Sequence, residues 1–375
     1  MRITMVLPFP YWTGGVRAVY EHSRILQSSG HEVRVVFPAV PYRFRGASGW
    51  ASARAWLGSL RRNLLSGAHP PGVPVRWDIR MVPTIADRYL PDGDIVLATA
   101  WPTAYSVARL SRRKGVKTYL VQHREIDSGP ARRVDGTYRL GLFLIAGSHF
   151  TSRHLQETIR VMTDAVAVNG VDVSFWGARE PSTGARSGVL TLLASGERKG
   201  GADAIAALAA VHRARPGARL RAFGQTPQPG LPAFIEYQEH PDDAALRELY
   251  ATSEVFLYSS RFEGFGLPPL EAQAAGCAVV STRVGDVPEC IADGANGVLV
   301  EPRDVSAMAS AVIALLDEPE RRERIAAAGA ASVAAHDWRR VPETLERALD
   351  RALAAACAPA SAAAAAAAAA GRGEK

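Results

Sequence analysis

Short apolar runs alternate with helical patterns along most of this chain, and that alternation restricts its fold more than any other feature. Residues 2–7 form the first run, a helical pattern extends from Gly14 to Gly30, and residues 31–36 form the next run. Similar runs in the first half lie at 94–98, 117–122 and 141–146. Strands that alternate with helices are typical of a parallel sheet covered on both faces. The first half is therefore predicted to be a doubly wound α/β domain.

The same alternation starts again after residues 177–188, a segment that contains glycine, serine and proline. The apolar runs of the second half lie at 189–194, 219–223, 255–257 and 278–281. A chain of 375 residues is also longer than one hydrophobic core usually serves. We therefore predict an α/β chain of two Rossmann-like doubly wound domains that face each other across a cleft. The predicted divisions are an N-terminal domain at 1–176, a linker at 177–188 and a C-terminal domain at 189–335.

The end of the chain divides into a helical segment and a compositionally biased one. Leu345, Leu349 and Leu353 recur with helical spacing, so residues 336–353 are predicted to contain a closing helix. Residues 354–375 are mostly alanine and offer little material for a core. We predict that this tail is disordered.

Composition predicts a cytoplasmic protein. The first residues carry one arginine and an apolar run that Pro8 interrupts, unlike a secretory signal peptide. The sequence contains no run of about eighteen strongly apolar residues, which a membrane-spanning helix would need. Cys277, Cys290 and Cys357 show neither CxxC nor Cys/His spacing. They are predicted to be buried thiols and not disulfides or zinc ligands.

Positive charge is concentrated in the first half of the chain. Residues 1–180 hold 24 Lys/Arg against 13 Asp/Glu, while residues 181–375 hold 20 against 24. The segments 42–50 and 54–62 also mix arginine with aromatic and aliphatic residues. Such a stretch suits an anionic membrane surface or a lipid-linked acceptor, and a loop packed over the acceptor site explains it equally well. A peripheral membrane contact therefore stays open, whereas no nucleic-acid-reading motif is present.

A strand, a glycine turn and a helix are predicted at 255–276, the most informative segment of the chain. Gly264 and Gly266 allow close backbone approach, and the helix that follows would present unpaired N–H groups to phosphate or sugar hydroxyls. Glu263 lies before this helix and Glu271 within it, and carboxylates accept hydrogen bonds from sugar hydroxyls. The segment by itself predicts an anion- or sugar-binding turn, with a purely structural turn as the alternative.

Glu263 and Glu271, which enclose Gly-Phe-Gly-Leu-Pro, resemble the signature of the retaining GT-B glycosyltransferases of family four, the glycosyl transferases group 1. The resemblance continues in the family's usual order through Gly14-Gly15, 169–172, 196–200, 278–282, 285–291, 293–300 and 301–304. It implies a GT-B fold with the donor site mainly in the second domain. It also implies transfer of a sugar from a nucleotide diphosphate sugar to an acceptor hydroxyl, with retained anomeric configuration and no obligatory cofactor.

The resemblance implies a role for each matching residue. Arg198 and Lys199 would grip the donor diphosphate, and they are adjacent here, whereas the family commonly separates an arginine from a later Lys-Gly. Glu271 would bond the donor ribose, and Glu263 would act at the sugar. The remaining donor contacts implied by the resemblance are the glycines after the first strand and the turn before the helix, namely Gly14, Gly15, Gly264, Phe265, Gly266 and Leu267.

His123 follows the predicted strand 117–122, at the carboxyl end where open α/β sheets bind ligands. A histidine at this place in family members contacts the donor sugar and the reacting centre, so the resemblance makes His123 a catalytic candidate, with a structural histidine as the alternative. The family is thought to react by front-face displacement, in which the leaving phosphate takes the acceptor proton. No carboxylate nucleophile is then required.

Asp92-Gly93-Asp94 superficially matches the Asp-x-Asp metal site of the other large glycosyltransferase fold. It precedes a predicted strand, whereas ligand sites lie beyond the carboxyl ends, so a surface turn is favoured and no obligatory metal is expected.

Two further hypotheses stay open: a nucleotide-sugar epimerase or hydrolase, and a catalytically silent sugar-nucleotide-binding protein. A dinucleotide oxidoreductase is disfavoured because no Gly-x-Gly-x-x-Gly follows the first strand. The donor base, the sugar and the acceptor are not specified by these motifs.

Overall fold

The computed structural model describes residues 1–10, 13–40, 42, 57–58, 60–61, 79–178, 185–194, 196–226, 230–341 and 344–358. Most of the two basic segments at 42–50 and 54–62 lies outside the described residues, as does the predicted tail from residue 359 onward. The described residues fall into two compact units. Unit 1 takes them from Met1–Gly147, Ser152–Ala167 and Glu343–Lys375, and unit 2 from Ser148–Thr151 and Val168–Pro342.

Unit 1 is built on a seven-stranded sheet whose strands are all parallel, in the order β3-β2-β1-β4-β5-β6-β7. Its strands are β1 Arg2–Val6, β2 Glu32–Pro38, β3 Ile79–Val82, β4 Ile95–Ala98, β5 Val116–Val121, β6 Phe143–Ala146 and β7 Ala165–Val166. The helices that follow these strands are α1 Gly14–Ser28, α2 Trp101–Ala108, α3 Ala131–Thr137 and α4 His149–Ile159.

The central strands of this sheet are apolar on both faces, because helices cover both sides. Met5 and Leu97 belong to one buried cluster and Val6 and Val96 to another. All four side chains are fully buried. The period-two alternation of a half-exposed strand is therefore absent, and uninterrupted apolar runs take its place.

Unit 2 contains a six-stranded parallel sheet in the order β10-β9-β8-β11-β12-β13. Its strands are β8 Val189–Leu192, β9 Leu220–Gly224, β10 Ile235–Glu239, β11 Val255–Tyr258, β12 Ala278–Thr282 and β13 Val298–Val300. Its helices are α5 Val173–Gly177, α6 Gly201–Ala214, α7 Asp243–Ala251, α8 Leu267–Ala274, α9 Val287–Cys290, α10 Val305–Asp317 and α11 Pro319–Ser332. The predicted α/β class with two Rossmann-like domains is confirmed.

The last described helix, α12, spans Leu345–Cys357 and belongs to unit 1. Leu345 and Leu349 are buried in the same cluster as β1, and Leu353 packs against that cluster. The apolar stripe predicted for the closing helix is thus the face that joins the core. The helix continues through 354–357, residues that the sequence analysis assigned to the tail.

The cysteines of unit 2 behave as small core residues. Cys277 and Cys290 are buried thiols, and burial raises the pKa of Cys277 to about 11 and that of Cys290 to about 12. Cys357, on the last turn of α12, is exposed, so its predicted burial is wrong. In the part of the chain that the structure describes, no helix combines the length and the apolar character needed to cross a bilayer.

In each sheet, the direction in which successive strands are added reverses once along the chain. In unit 1 the strand order grows outward from β1 to β3 and then continues from β4 on the other side of β1. In unit 2 it grows from β8 to β10 and then continues from β11 on the other side of β8. Such reversals leave a crevice beyond the carboxyl ends of the two central strands, which is where doubly wound sheets bind ligands. The predicted site residues can therefore be tested against β1/β4 and β8/β11.

We predict that α12 is an integral part of unit 1 and not an appendage. Leu349 is fully buried, so Leu349→Ala should lower the free energy of unfolding by about 2–5 kcal/mol. Urea denaturation followed by circular dichroism measures this loss. Asp350→Ala, one exposed residue further on, is the control and should change stability by less than about 0.5 kcal/mol. Equal stabilities of the two variants would contradict the packing.

Candidate functional site

Two loops meet at the carboxyl edge of the unit 2 sheet, where the strand order reverses. The loop after β8 contains a 3-10 turn at Glu197–Lys199, and the loop after β11 contains residues 259–266. Strands β8 and β11 are parallel neighbours, so their carboxyl ends lie at the same edge. The structure thus brings together the predicted diphosphate residues and the predicted glycine turn.

Gly200 allows the two loops to pack closely. Its backbone is left-handed, with φ +63°, and a Cβ added there would lie 1.9 Å from the carbonyl oxygen of Ser259. The Ser259 hydroxyl donates to the Gly200 carbonyl at 2.9 Å, and the backbone N–H of Arg261 donates to the Arg198 carbonyl at 2.8 Å. A larger residue at position 200 would push the loops apart.

The carboxylate of Glu263 lies at the centre of this contact and is only 8% exposed. Its Oε1 accepts three hydrogen bonds: from Lys199 Nζ at 2.6 Å, from the Tyr258 hydroxyl at 2.7 Å and from the Ser260 hydroxyl at 2.7 Å. Its Oε2 lies 3.7 Å from Arg198 Nη1. Both predicted diphosphate cations therefore have the same carboxylate as a partner.

These contacts keep Glu263 ionised. Burial by itself would raise the pKa of the carboxyl, but the positive charges of Lys199 and Arg198 and the hydrogen bonds from Lys199 and Tyr258 outweigh burial and lower the pKa to about 2. The two cations are less enclosed, because the side chains of Arg198 and Lys199 are 26% and 25% exposed. The site thus combines a buried fixed anion with cations that solvent or a ligand can reach.

The Gly264–Gly266 turn begins helix α8. Gly266 has φ +102°, which a side chain would strain, and an added Cβ would lie 2.6 Å from Val287 Cγ2. The next helical residues include Pro268 and Pro269, which carry no backbone N–H. The expectation that this helix start offers several unpaired amides is therefore too broad, because prolines occupy two of its first three positions. The backbone N–H groups that remain at this helix start are those of Leu267 and the residues just before it, followed by that of Leu270.

Neighbouring segments of unit 2 donate hydrogen bonds to the backbone carbonyls of this turn. The Ser148 hydroxyl donates to the Gly264 carbonyl at 2.7 Å, and the backbone N–H of Asp286 donates to the Phe265 carbonyl at 3.2 Å. Gly285 has φ +58°, and a Cβ there would lie 2.9 Å from the Gly264 carbonyl oxygen. Gly285 and Asp286 belong to a motif that the sequence analysis matched, and their place explains why that motif needs a glycine.

Glu271 lies on α8 and is 6% exposed. The hydroxyl of Tyr250, in α7, donates to Glu271 Oε2 at 3.3 Å. Tyr250 is itself fully buried, with its ring edge-on to those of Trp176 and Phe256. The second carboxylate of the motif is thus held by a buried tyrosine, as the first is held in part by Tyr258.

A second ion pair, which the sequence did not predict, lies at the same edge. Arg261 donates two hydrogen bonds to the Asp203 carboxylate, each at 2.7 Å, and thereby ties the loop after β11 to the first turn of α6. Bidentate pairs of this kind fix orientation as well as charge. Arg261 lies within the segment 255–276 that was predicted to form a strand, a turn and a helix, but no pattern along the chain identified Asp203 as its partner.

The predicted residues of unit 1 lie at the carboxyl edge of its own sheet. Gly14 and Gly15 are the first two residues of α1, whose first turn is capped by the Thr13 hydroxyl. The side chain of Gln122 donates to the Gly15 carbonyl at 3.1 Å, and a Cβ on Gly15 would lie 2.9 Å from Gln122 Oε1. His123, which is partly buried, follows Gln122 directly. Gln122 is a second residue that sequence reasoning did not single out.

The Asp92-Gly93-Asp94 segment lies before β4, at the opposite end of the strand from the carboxyl edge. Asp92 pairs with Arg113 and Lys114, each at 2.9 Å, and Asp94 pairs with Arg2 at 3.0 Å. These carboxylates thus have cationic side chains as partners. Over the described ranges, no group of three or more His, Cys, Asp or Glu side chains has the geometry of a metal site.

Residues 189–332, which include both loops of the unit 2 site, match the sequence model of the family described as glycosyl transferases group 1. A glycogen synthase of Mycobacterium tuberculosis is 33% identical over 189 residues, which are 46% of this chain and 45% of that protein. The matched part of this chain thus spans less than half the length of that relative. A phosphatidyl-myo-inositol mannosyltransferase of Mycobacterium leprae is 28% identical over 379 residues, 93% of this chain and 96% of that protein.

Among solved structures, Alr3699/HepE of Anabaena in complex with UDP-glucose is similar with a TM-score of 0.68, at 15% identity, over 95% of this chain and 99% of that chain. At this identity the similarity concerns the fold alone. It agrees with the two Rossmann-like domains of the GT-B architecture that the sequence predicted.

The depressed pKa of Glu263 predicts a pH-dependent contribution to stability. Because the folded-state pKa of about 2 lies below the ordinary value of 4.5, the ionised group stabilises the fold above pH 4.5, and this contribution is lost as the pH falls toward 2. Glu263→Gln should therefore cost on the order of 3 kcal/mol near pH 7 and progressively less below pH 4.5. Urea unfolding of both proteins from pH 7 to pH 3 measures the difference.

Glu320→Gln, at an exposed position on α11, is the matched control. A stability difference between wild type and Glu263→Gln that stays constant from pH 7 to pH 3 would show that the carboxylate is not held ionised by its partners.

Proposed function

We propose that this protein is a retaining glycosyltransferase of family four that moves a sugar from a nucleotide diphosphate sugar onto an acceptor hydroxyl. The acceptor class is a cell-envelope glycan, a lipid-linked intermediate or a small natural product. The family match over unit 2 and the names of the relatives support a sugar-transferring activity. The residues at the carboxyl edge of β8 and β11 carry the rest of the argument.

One observation carries the proposal: Arg198, Lys199 and the glycine turn lie together at the point where the unit 2 sheet reverses its strand order. A nucleoside diphosphate presents two negative phosphates joined to a ribose. Two partly exposed cations suit the phosphates, and a narrow glycine turn lets the backbone approach a sugar. In this proposal Gly264, Phe265, Gly266 and Leu267 contact the sugar and phosphates, and Glu271 accepts the ribose hydroxyls.

The cations also have a chemical role in this proposal. When the bond between the anomeric carbon of the sugar and the diphosphate of the donor breaks, negative charge develops on the departing nucleoside diphosphate. Lys199 and Arg198 would stabilise that charge more strongly in the transition state than in the ground state, which is the condition for accelerating the reaction. No metal ion is required for this step, because the fixed cations supply the positive charge.

The surroundings of Glu263 favour front-face displacement over a double displacement. A double displacement needs a carboxylate that can attack the anomeric carbon. Glu263 is buried, and its Oε1 already accepts three hydrogen bonds, so it is poorly prepared for attack. In the proposed reaction Glu263 helps to hold the sugar, the acceptor hydroxyl forms the new bond on the face that the phosphate leaves, and the phosphate takes the hydroxyl proton.

The unit 1 residues are proposed to complete the reacting geometry. Gly14 and Gly15 would bring backbone atoms to the donor phosphates, and His123 would contact the donor sugar at the reacting centre. The bond from Gln122 to the Gly15 carbonyl supports a shared role, because it fixes the segment that contains His123 against the start of α1. An epimerase or hydrolase of the same fold would need the same donor residues, so product analysis with and without acceptors separates these activities.

We expect nucleoside diphosphates to stabilise the purified protein against heat without added metal. A thermal-shift screen with UDP, GDP, ADP and dTDP identifies the preferred base, and calorimetry gives its affinity. Lys199→Ala, Arg198→Ala and Glu271→Gln should each weaken binding by roughly 10- to 100-fold. The first two remove a cation proposed to contact the diphosphate, and the third removes the carboxylate proposed to accept the ribose hydroxyls.

Arg324→Ala and Glu320→Gln, both exposed on α11, are the matched controls and should bind like the wild type. A folded protein that binds none of the four nucleotides would contradict the proposed function. Binding that is equal in all variants would place the diphosphate elsewhere.

His123→Ala should separate catalysis from donor binding. If the imidazole contacts the reacting sugar, its removal should lower kcat for donor-sugar hydrolysis or transfer by roughly a hundredfold, while nucleotide affinity stays near that of the wild type. His154→Ala, a partly buried histidine on α4, is the control. An unchanged kcat in His123→Ala would assign the residue a structural role.

A further inference from the structure

The three hydrogen bonds on Glu263 Oε1 raise a question about donor binding. Lys199 is proposed to grip the diphosphate, yet its ammonium group donates to Glu263 at 2.6 Å. A ligand that draws the charge of Lys199 toward its phosphates weakens the support of a buried carboxylate. A buried charge that loses a partner without replacement is costly, so something must support Glu263 when the donor is bound.

Tyr258 and Ser260 are placed to give that support. Tyr258 is the last residue of β11 and is 2% exposed, and Ser260 is fully buried two residues later. Both hydroxyls donate to the same oxygen as Lys199, each at 2.7 Å. Neither group can be drawn away by an anion in the way that a flexible lysine can, because the strand end and the following turn fix them.

The chemistry of these two groups also keeps them as donors. Burial, together with the negative charge of Glu263, holds the pKa of Tyr258 well above its usual range, so the phenol keeps its proton. The Ser260 backbone is fixed by the Thr282 hydroxyl, which donates to the Ser260 carbonyl at 2.5 Å. Glu263 Oε1, at 2.7 Å, is the nearest acceptor of the Ser260 hydroxyl, since the Arg198 and Phe262 carbonyls lie at 3.1 and 3.3 Å. Arg198, 3.7 Å from Oε2, adds charge but no close hydrogen bond to the carboxylate.

We propose that Tyr258 and Ser260 are positioning residues for donor binding: their hydroxyls hold the buried Glu263 carboxylate so that Lys199 can share its charge with the donor diphosphate. This inference rests on the proposed function, because it assumes that Lys199 meets the diphosphate. The two hydroxyls should therefore matter more in the ligand-bound state than in the empty protein, where Lys199 also supports Glu263.

The test compares Tyr258→Phe, Ser260→Ala and the double variant with the wild type. Calorimetry measures the Kd of inorganic pyrophosphate, which has no base, and of whichever of UDP, GDP, ADP and dTDP stabilises the wild type most. Each single variant should weaken the binding of both probes by roughly 2- to 10-fold, the equivalent of one net hydrogen bond. The melting temperature without ligand should fall by no more than the loss of one net hydrogen bond explains, and all titrations are made at a temperature at which every variant is fully folded. Tyr105→Phe, which removes a hydroxyl bonded to the Arg133 carbonyl in unit 1, is the control.

A double-mutant cycle with Lys199→Ala separates positioning from simple loss of structure. If the hydroxyls act through Lys199, their removal should leave the affinity unchanged in the Lys199→Ala background. If they only shape the turn, the same removal should weaken binding in either background, and the inference is overturned. A fall in ligand-free melting temperature that accounts for the weaker binding would overturn it as well.

The outcomes also distinguish this inference from the function on which it rests. Nucleotide binding that Lys199→Ala weakens and the hydroxyl variants leave unchanged would overturn the inference alone. A wild-type protein that binds neither pyrophosphate nor any of the four nucleotides would overturn the proposed function and the inference together.

Discussion

The buried carboxylate of Glu263 is the constraint on which the unit 2 site depends. A charge that is 8% exposed must be paired and hydrogen-bonded, or it would protonate or unfold its surroundings. Its partners come from two loops, Lys199 after β8 and Tyr258 with Ser260 at the end of β11. Satisfying one carboxylate therefore fixes two loops that are more than fifty residues apart in the chain, and it places both cations at the edge of the sheet.

Glycine makes this convergence sterically possible. Three close approaches in the unit 2 site each involve a glycine whose φ is positive: Gly200 lies against the Ser259 backbone, Gly266 against the Val287 side chain, and Gly285 against the Gly264 backbone. A side chain at any of these positions would meet backbone or core atoms at less than about 3 Å. Gly266, which the sequence suggested as a ligand-binding glycine, is thus also required by packing.

Much of this arrangement follows from sequence patterns, and the remainder depends on tertiary packing. The central strands were predicted because apolar runs such as 255–257 are continuous, whereas the four edge strands β3, β7, β10 and β13 were not. Edge strands are half-solvated, and β10 reads Ile-Glu-Tyr-Gln-Glu, which resembles a polar loop. Glu263 and Glu271 could be found by their spacing. Their tyrosine partners could not, because which hydroxyl reaches a carboxylate is decided by the packing of strand against helix.

The distribution of net charge does not coincide with the proposed diphosphate site. The excess of arginine lies in residues 1–180, yet several of the cations that the structure describes there are paired locally, as in Arg2 with Asp94 and Arg124 with Asp135. The second half has more acidic than basic residues, but at its sheet edge Arg198 and Lys199 share one carboxylate. The field that a ligand meets within a few ångströms is set by such local pairing, since distant exposed charges are screened by salt. The proposed diphosphate site therefore lies in the acidic half of this chain, at a place where two cations are held together.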